Sequence, residues 1–177
     1  MTDGIGLAEK MLGIGGLVVL DAEEVPGELV VHAESNRPKG YCPSCRRRAE
    51  AHDRVDVQLR DLHCFGRLTR RVIKGRRWRC KAPGCVSKTW TERIEGIVAR
   101  QLMTLRAGAE VTRQVGKLCR SVSSVATEYG VSWDSAWAAV RLHGTPLVDD
   151  PHRVGGVRAL GVDEHSFLAA NPDHTTV

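Results

Sequence analysis

The pattern of hydrophobic and polar residues changes near residue 91. Before it, "LVVLDAEEVPGELVVHA" contains two runs rich in valine and leucine, joined by a polar connection that includes Pro26 and Gly27. This pattern predicts a β-hairpin. In "RVDVQLRDLHCFGRLTRRVIKGRRWRC", apolar and charged residues alternate. Alternation places one residue type on each face of a strand, so it predicts further exposed, half-buried strands.

After residue 91 the spacing becomes helical. Val111, Val115, Leu118 and Cys119 recur at intervals of three and four residues. This is the spacing of one face of an amphipathic helix, and it makes Cys119 a core thiol by its position.

Two further short helices are predicted, over residues 121–130 and 132–143. Ser132 is a candidate N-cap because its hydroxyl can accept a backbone hydrogen bond, and Asp134 in the first turn favours the helix dipole. Gly144 and Pro146 are stop signals. The following stretch, "TPLVDDPHRVGG", reads as a linker.

Charge is concentrated in one part of the chain. The net charge is +5, but residues 37–81 hold fifteen lysines and arginines against four acids, a local charge of +11. The rest of the chain is therefore acidic. Most of the basic residues are arginine, whose planar fork donates paired hydrogen bonds to phosphate. Nucleic acid is the expected acidic partner.

Membrane insertion and secretion are not expected. No stretch approaches the roughly 18 uninterrupted apolar residues of a membrane span. The longest apolar run, "GIGGLVVL", is too short for a secretion signal and has no basic residues leading into it. We therefore expect a cytoplasmic protein, in which cysteines are metal ligands or buried thiols rather than disulfides.

Four of the six cysteines form two closely spaced pairs. Cys42 and Cys45 are separated by two residues, and Cys80 and Cys85 by four. Each spacing lets two thiolates meet at one ion, and four thiolates form a structural zinc site. Zinc binding would supply folding energy to a small β unit with little apolar core.

Other roles for these residues remain open at this point. The stretch "CPSC" also fits a dithiol redox motif, although it opens no evident helix of a βαβ unit. His52, His63 or Cys64 can in principle replace one cysteine as a ligand, but they lie outside both pairs and are predicted to be loop or strand residues.

The arginines beside the cysteines are candidate DNA contacts, since a metal site would hold them rigidly. The alternative is that they only keep a small metal-binding domain soluble. The charge concentration favours nucleic acid. The predicted contacts are Arg46, Arg47, Arg48, Arg70, Arg71, Arg76, Arg77 and Arg79.

"SVSSVATEYGVSWDSAWAAV" has the spacing of a helix-turn-helix. Ala126 is expected where two helices approach, and Gly130 in the turn. The face left for DNA would present Ser135, Trp137 and Arg141. A helical pair with only a structural role is the alternative.

"ALGVDEHSF" places Asp163 at the end of an apolar strand. A carboxylate there can bind a divalent metal, but one carboxylate does not make a two-metal site. Taken alone, Asp163 is more simply a strand-end residue.

The order of these features resembles the N-terminal part of insertion-sequence transposases of the ISL-three family, over nearly the whole chain. The matching stretches are "YCPSC", "RRWRC", "CKAPGCVSKTWTER", "SSVATEYGVSWDSAWAAV" and "ALGVDEHSF". The sequence departs from the family at Arg46, where a glycine is common after the first cysteine pair, and this substitution is expected to distort the turn.

The resemblance implies a structural zinc site and DNA binding at terminal inverted repeats. It makes Asp163 the first acid of an Asp-Asp-Glu triad that binds two magnesium ions in an RNase-H-like domain. The other two acids belong to a part of the family sequence that this chain does not have. We therefore expect a catalytically incomplete transposase fragment, with a mobile or aggregation-prone tail over residues 157–177.

The predicted fold is α+β with several modules. They are an N-terminal hairpin over residues 1–36, a zinc ribbon over 37–95, a helix-turn-helix region over 96–145, a linker over 146–156, and the first strand of the truncated catalytic domain over 157–177. The predicted partners are DNA and either a second copy or an intact transposase. The alternatives are a stand-alone zinc-dependent regulator that competes with intact transposase, and a metal module used for protein contacts.

Overall fold

A computed structural model describes residues 13, 15–153, 155, 156, 159 and 161. The strands are β1 (Leu17–Val25), β2 (Glu28–Ser35), β3 (Gly40–Tyr41), β4 (Arg48–Cys64), β5 (Arg67–Arg79) and β6 (Thr89–Thr91). The helices are α1 (Leu105–Leu118), α2 (Val122–Tyr129) and α3 (Trp133–Val148). This confirms a mixed α+β fold with the strands preceding the helices.

Strands β1 and β2 form the predicted antiparallel hairpin. Val25 pairs with Glu28 across a two-residue turn made of Pro26 and Gly27. Gly27 has φ +77°, a left-handed conformation that glycine adopts without steric cost after a proline. The proline and glycine noted in the sequence therefore form the turn itself.

Strands β4 and β5 form a second, longer hairpin of 17 and 13 residues. Its turn consists of Phe65 and Gly66, with φ of +53° and +73°. Two consecutive positive φ values match the right-handed twist of the flanking strands. The alternating segment of the sequence is thus one continuous antiparallel ribbon.

The two hairpins join in a single six-stranded sheet with the order β1-β2-β5-β4-β3, and β6 pairs with the end of β5. Strand β2 runs parallel to β5, with Glu28 opposite Leu68 and Glu34 opposite Lys74. The other pairings are antiparallel. The predicted modules 1–36 and 37–95 therefore share one sheet.

The sheet has two distinct faces along β5. We call the side of Thr69, Arg71 and Ile73 the inner face, because these residues are buried. The core on this side consists of Leu17, Ala33, Leu59 and Ile73, packed against Ile94 and Ile97. We call the opposite side the outer face; it carries Leu68, Arg70, Val72, Lys74, Arg76 and Trp78.

The three helices begin at side-chain caps. Thr104, Ser121 and Ser132 each accept a hydrogen bond from a backbone N–H three residues on, which satisfies a donor left free at the start of a helix. Ser132 is thus the N-cap predicted from the sequence. Gly130, with φ +60°, ends α2 in the left-handed conformation and makes the tight turn into α3.

Two predictions about helix ends are wrong. Gly144 and Pro146 do not stop α3, which continues to Val148 with Pro146 inside its last turns. Helix α1 ends at Leu118, and Cys119 takes φ +54° beyond it. Leu118 and Cys119 are therefore exposed, and Cys119 is not a core thiol.

Residues 102–104 attach the helices to the free edge of β4. Arg60 donates its backbone N–H to the carbonyl of Leu102, and Thr104 donates its own to the carbonyl of Arg60, at 2.8 and 2.9 Å. Thr104 is also the cap of α1, so the helix begins where the chain leaves the sheet. The helical region is thereby fixed to the sheet through main-chain bonds.

The predicted tail, residues 157–177 with Asp163, lies outside the described residues except for 159 and 161. Among the helices that are described, none is long and apolar enough to cross a membrane.

Candidate metal centre and nucleic-acid interface

Four cysteine thiols meet at one end of the sheet. Cys42 and Cys45 precede β4, and Cys80 and Cys85 follow β5, so the β4–β5 pairing brings the two pairs together. All four sulfurs lie within 4.8 Å of one another. Cys42 Sγ is 3.5 Å from Cys85 Sγ, and Cys45 Sγ is 3.6 Å from Cys80 Sγ.

These separations fit a tetrahedral zinc ion. With Zn–S bonds of about 2.3 Å, the sulfurs of a tetrahedron stand about 3.8 Å apart. Cys42, Cys80 and Cys85 are buried and Cys45 is half-buried, as in a closed structural site. The four cysteines can therefore hold a metal such as zinc. Trp90 on β6 packs against the cluster.

Backbone N–H groups surround the sulfurs. Ala82 donates its N–H to Cys80 Sγ at 3.5 Å, Ser44 and Cys45 donate to Cys42, and Ser87 donates to Cys85. Hydrogen bonds of this kind stabilise thiolate, the form that binds metal. Three of the four cysteines thus accept a bond from the residue two positions further on.

The thiol pKa values reflect this environment. Burial raises the pKa of Cys42, but the N–H groups of Cys45 and Ser44 and the neighbouring thiols more than offset it, and the pKa falls to about 6. Burial and the Cys42 sulfur raise the pKa of Cys85 to about 12. Like charges at this distance cannot all ionise without a cation, so the site favours metal.

The two cysteine turns are joined and shaped by their neighbours. Ser44 Oγ lies 2.6 Å from Ser87 Oγ, which links one turn to the other. Arg46 has φ +59°, a left-handed conformation that strains a residue with a Cβ atom. The arginine at a position where the resembling family commonly has glycine is therefore held in the glycine conformation.

The alternative ligands named from the sequence do not reach the cluster. His52, His63 and Cys64 all lie on β4, as predicted for strand residues. His63 Nε2 lies 3.2 Å from the carbonyl oxygen of Glu128, and its ring stacks on Tyr129 with centroids 4.9 Å apart. It thus connects β4 to α2.

The predicted DNA-contacting arginines fall into two groups. Arg46, Arg47 and Arg48 lie at the first cysteine pair, and all three are exposed. Within the described residues they form no ion pair. Their charges therefore face solvent at the end of the sheet where the four cysteines meet.

The arginines on β5 have partners inside the protein. Arg70 pairs with Glu28 at 3.2 Å and Arg77 with Asp53 at 3.2 Å. Arg76 Nη2 lies 4.0 Å from Glu34, and Arg79 Nη2 lies 3.0 Å from His52 Nε2. Arg71 pairs with Asp61 on the inner face with a side chain only 1% exposed. Arg71 lies in the core and is not accessible to phosphate.

Two of the four acids that pair with these arginines, Glu28 and Glu34, come from the N-terminal hairpin. Residues 17–35 hold five acids and no lysine or arginine. Glu28 contacts both Arg60 and Arg70, and Glu34 contacts Arg54 at 2.5 Å. The sequence already shows residues 17–35 as an acidic segment outside the basic residues 37–81. Only the pairing of β2 with β5 shows which arginines these acids neutralise.

Helices α2 and α3 pack against each other. Val125, Ala126, Tyr129, Ala136 and Ala139 are buried in one cluster together with residues of α1. Ala126 is thus at the helix contact, as predicted, and Ala136 packs in the same cluster. Gly130 makes the turn between the helices.

The exposed side of α3 carries two of the three predicted contacts. Arg141 and Trp137 are exposed, while Ser135 is half-buried with its hydroxyl 2.8 Å from that of Ser132. Trp133 stacks on Trp137 with centroids 5.7 Å apart and is 49% exposed. Sequence reasoning missed Trp133, although its spacing of four residues from Trp137 places both on one helix face.

This helical arrangement agrees with a known DNA-binding domain. Residues 92–144 match the family model for the helix-turn-helix domain of transposase family ISL3. No curated protein and no solved structure matches the chain. The match supports DNA binding and a relationship to transposases for this region.

The ISL3 helix-turn-helix match begins before the helices. It starts at Glu92, directly after β6, and includes the segment that pairs with Arg60 and caps α1 at Thr104. The part of the chain that attaches the helices to the sheet thus belongs to the matched region. The cysteine cluster and strand β5 lie outside the matched region.

Proposed function

We propose that the chain is the DNA-binding portion of a transposase that recognises the terminal inverted repeats of an insertion sequence. The observation that carries this proposal is the ISL3 helix-turn-helix match over residues 92–144. The cysteine cluster beside three exposed arginines supports it, since a bound metal would fix these charges for phosphate contact.

Within this proposal, α3 reads the major groove. A recognition helix contacts base edges mainly through its N-terminal residues. Here Trp133, Trp137 and Arg141 lie exposed on one side of α3, away from the buried Ala136 and Ala139. Ser135 lies half-buried in the first turn of the helix. With one positive charge among them, these residues select bases, and the arginines at the metal end supply charge.

The proposed catalytic role of Asp163 stays a prediction. As the first acid of an Asp-Asp-Glu triad it would hold magnesium together with two further carboxylates, and we propose that the chain by itself does not cut DNA. Incubation of the chain with duplex DNA and magnesium tests this, and metal-dependent strand cleavage would contradict it.

The test of DNA recognition is the affinity of the zinc-loaded chain for two duplexes across a salt series. One carries the terminal inverted repeat of the encoding element and the other its scrambled sequence. We expect at least a tenfold preference for the repeat, about 1.4 kcal/mol. We also expect affinity to fall steeply as salt rises, because phosphate contacts release counterions.

A matched pair of variants separates base contacts from general charge. Arg141→Gln on α3 and Arg113→Gln on α1 each remove one exposed arginine. The first should reduce the preference for the repeat, whereas the second should leave it unchanged. If the unmodified chain binds the repeat and the scrambled duplex with equal affinity, it does not recognise the repeat. If its affinity does not change with salt concentration, the protein is better explained as a module for protein contacts.

A further inference from the structure

A groove lined by residues on both sides of the first cysteine pair in the sequence carries three basic side chains. It has a volume of about 490 Å³ and is lined by Lys39, Arg48, Arg76 and Trp78, among others. Trp78 is buried, and a Cβ atom on Gly40 would come within 2.4 Å of its ring. The glycine therefore lets the strand that follows Lys39 lie directly against the indole.

The positive groups of this groove lack sufficient acceptors. Lys39 and Arg48 are exposed and form no ion pair within the described part of the chain. Arg76 Nη2 lies 4.0 Å from Glu34, but the Nε of the same guanidinium is buried without a hydrogen-bond acceptor. Glu50 also lines the groove, but its carboxylate lies 2.6 Å from Lys81 Nζ. The groove thus has an excess of donors of the kind that phosphate oxygens satisfy.

A second groove lies at the start of α3. It has a volume of about 280 Å³, and its lining includes Arg60, Arg70, Gly130 and Ser132. The Arg60 guanidinium lies 3.4 Å from the position that a Cβ atom on Gly130 would occupy. The turn before α3 therefore packs against Arg60 of β4.

The two grooves lie along the same face of β5. Arg70 lines one and Arg76 the other, and six residues separate them, an even number that places both on the outer face. At about 3.3 Å per residue, they are about 20 Å apart. This corresponds to about six base pairs of DNA at 3.4 Å per base pair.

We propose that the groove of Lys39, Arg48 and Arg76 binds the phosphate backbone of the duplex that α3 reads, about six base pairs to one side of the bases that α3 contacts. This inference rests on the proposed DNA-binding function. The duplex runs along the outer face of β5 from the start of α3 to the cysteine end of the sheet.

The distribution of charge along the outer face favours phosphate binding at the groove of Lys39, Arg48 and Arg76 over binding near α3. Near α3, Arg60 and Arg70 share the carboxylate of Glu28, which reduces their attraction for phosphate. Lys39 and Arg48 form no ion pair among the described residues, and Glu50 in their groove is paired with Lys81. The outer face therefore attracts DNA most strongly at the end away from α3.

The test uses the zinc-loaded full chain and a duplex of about 40 base pairs, selected by the chain from a random-sequence pool, which exceeds the span of both contacts. The variant Lys39→Gln/Arg48→Gln removes two charges from the groove. The control Arg67→Gln/Arg113→Gln removes two exposed charges elsewhere, each of which is paired with a glutamate.

The groove variant should lower the slope of log affinity against log salt by about 1.8, since each phosphate contact contributes about 0.9. Between about 50 and 200 mM salt, the affinity of the unmodified chain should then fall about 12-fold more than that of the groove variant. Hydroxyl-radical footprinting should show lost backbone protection about six base pairs from the selected bases. The control should keep both the slope and the footprint.

The outcomes separate this inference from the function on which it rests. If the unmodified chain selects no sequence and binds no duplex, both fail. If it selects a sequence but the groove variant keeps its slope and footprint, only the groove assignment fails. Loss of protection within the selected bases, instead of beside them, also overturns the assignment.

Discussion

Arg71 on β5 and Asp61 on β4 form an ion pair on the inner face of the sheet, with 1% and 0% of their side chains exposed. Asp61 also accepts hydrogen bonds from Thr104 Oγ1 at 2.7 Å and from Arg106 Nε at 2.8 Å. The Asp61 carboxylate thus connects β5 to the start of α1. The contact connects the sheet to the helix-turn-helix region.

Asp61→Asn should destabilise the protein by about 3–5 kcal/mol, because it leaves the Arg71 charge buried without its counter-charge. Urea unfolding of the zinc-loaded chain measures the effect. Asp53→Asn is the matched control, since Asp53 pairs with Arg77 at the surface, and it should cost less than about 1 kcal/mol. If both variants lose the same free energy of unfolding, the buried ion pair contributes no more to stability than the exposed one.

The same pair predicts a dependence on pH. Burial raises the pKa of Asp61, but the hydrogen bonds from Arg106 and Thr104 and the charge of Arg71 together lower it below its ordinary value. A pKa that is lower in the folded state adds stability above the unfolded pKa of about 3.9, and this stability is lost as pH falls through the folded pKa.

The difference in unfolding free energy between the unmodified chain and Asp61→Asn should therefore narrow below about pH 4. Urea titrations at several pH values measure it. The comparison cancels acid effects on the cysteines, which both proteins share. A difference that stays constant down to about pH 2 would show that Asp61 is not the titrating group.

The cysteine cluster predicts one bound zinc ion per chain. Cys42→Ser should abolish stoichiometric zinc binding, whereas Cys119→Ser should not, because Cys119 is exposed and outside the cluster. Chelation should change the fluorescence of Trp90, which packs against the cysteines, while helical circular dichroism persists. Zinc retained by Cys42→Ser would mean that the four thiols are not the ligand set.

Arg46→Gly should raise the stability of the zinc-loaded protein. Arginine at φ +59° is strained by about 1–2 kcal/mol. Glycine removes this strain but costs about 0.5–1 kcal/mol in conformational entropy on folding, so a net gain of up to about 1.5 kcal/mol is expected. Arg47→Gly, which removes an arginine without positive φ, should lower the melting temperature instead. A loss in both variants would contradict the strain argument.

Replacing glycine by alanine should have opposite effects on stability at Gly40 and Gly116. Gly40→Ala should destabilise by about 1–3 kcal/mol, because the new methyl group would overlap the buried Trp78 ring. Gly116→Ala on α1 has nothing within 4 Å and should stabilise the helix by up to about 1 kcal/mol. Thermal unfolding measures both. A neutral Gly40→Ala would show that Trp78 can move aside.

Local signals in the sequence determined much of this protein. Pro26 and Gly27 specified the first hairpin, and Ser132 and Gly130 specified the start and turn of the helix-turn-helix, because caps and positive-φ turns depend on the residue at one position. The spacing of the four cysteines specified a set of four thiols, and the structure brings them within 4.8 Å of one another.

Other features depended on contacts between distant segments. Nothing in the local sequence showed that β2 would pair in parallel with β5, and this pairing places Glu28 and Glu34 against the arginines. A count of charges therefore overstated the free positive charge of β5. Arg71 shows this most clearly, since the same residue type is a phosphate contact on one face and a buried counter-ion on the other.

The sequence patterns also misplaced the end of α1 and the end of α3. Cys119 fits the periodicity of the α1 apolar face but lies beyond the last helical residue, where it is exposed among the described residues. Helix α3 continues through Pro146 although local signals predict a stop. The sequence by itself determined which residues begin and turn each element, because those choices depend on local backbone geometry. Only the tertiary structure decided which charges are exposed, because that depends on which strands become neighbours.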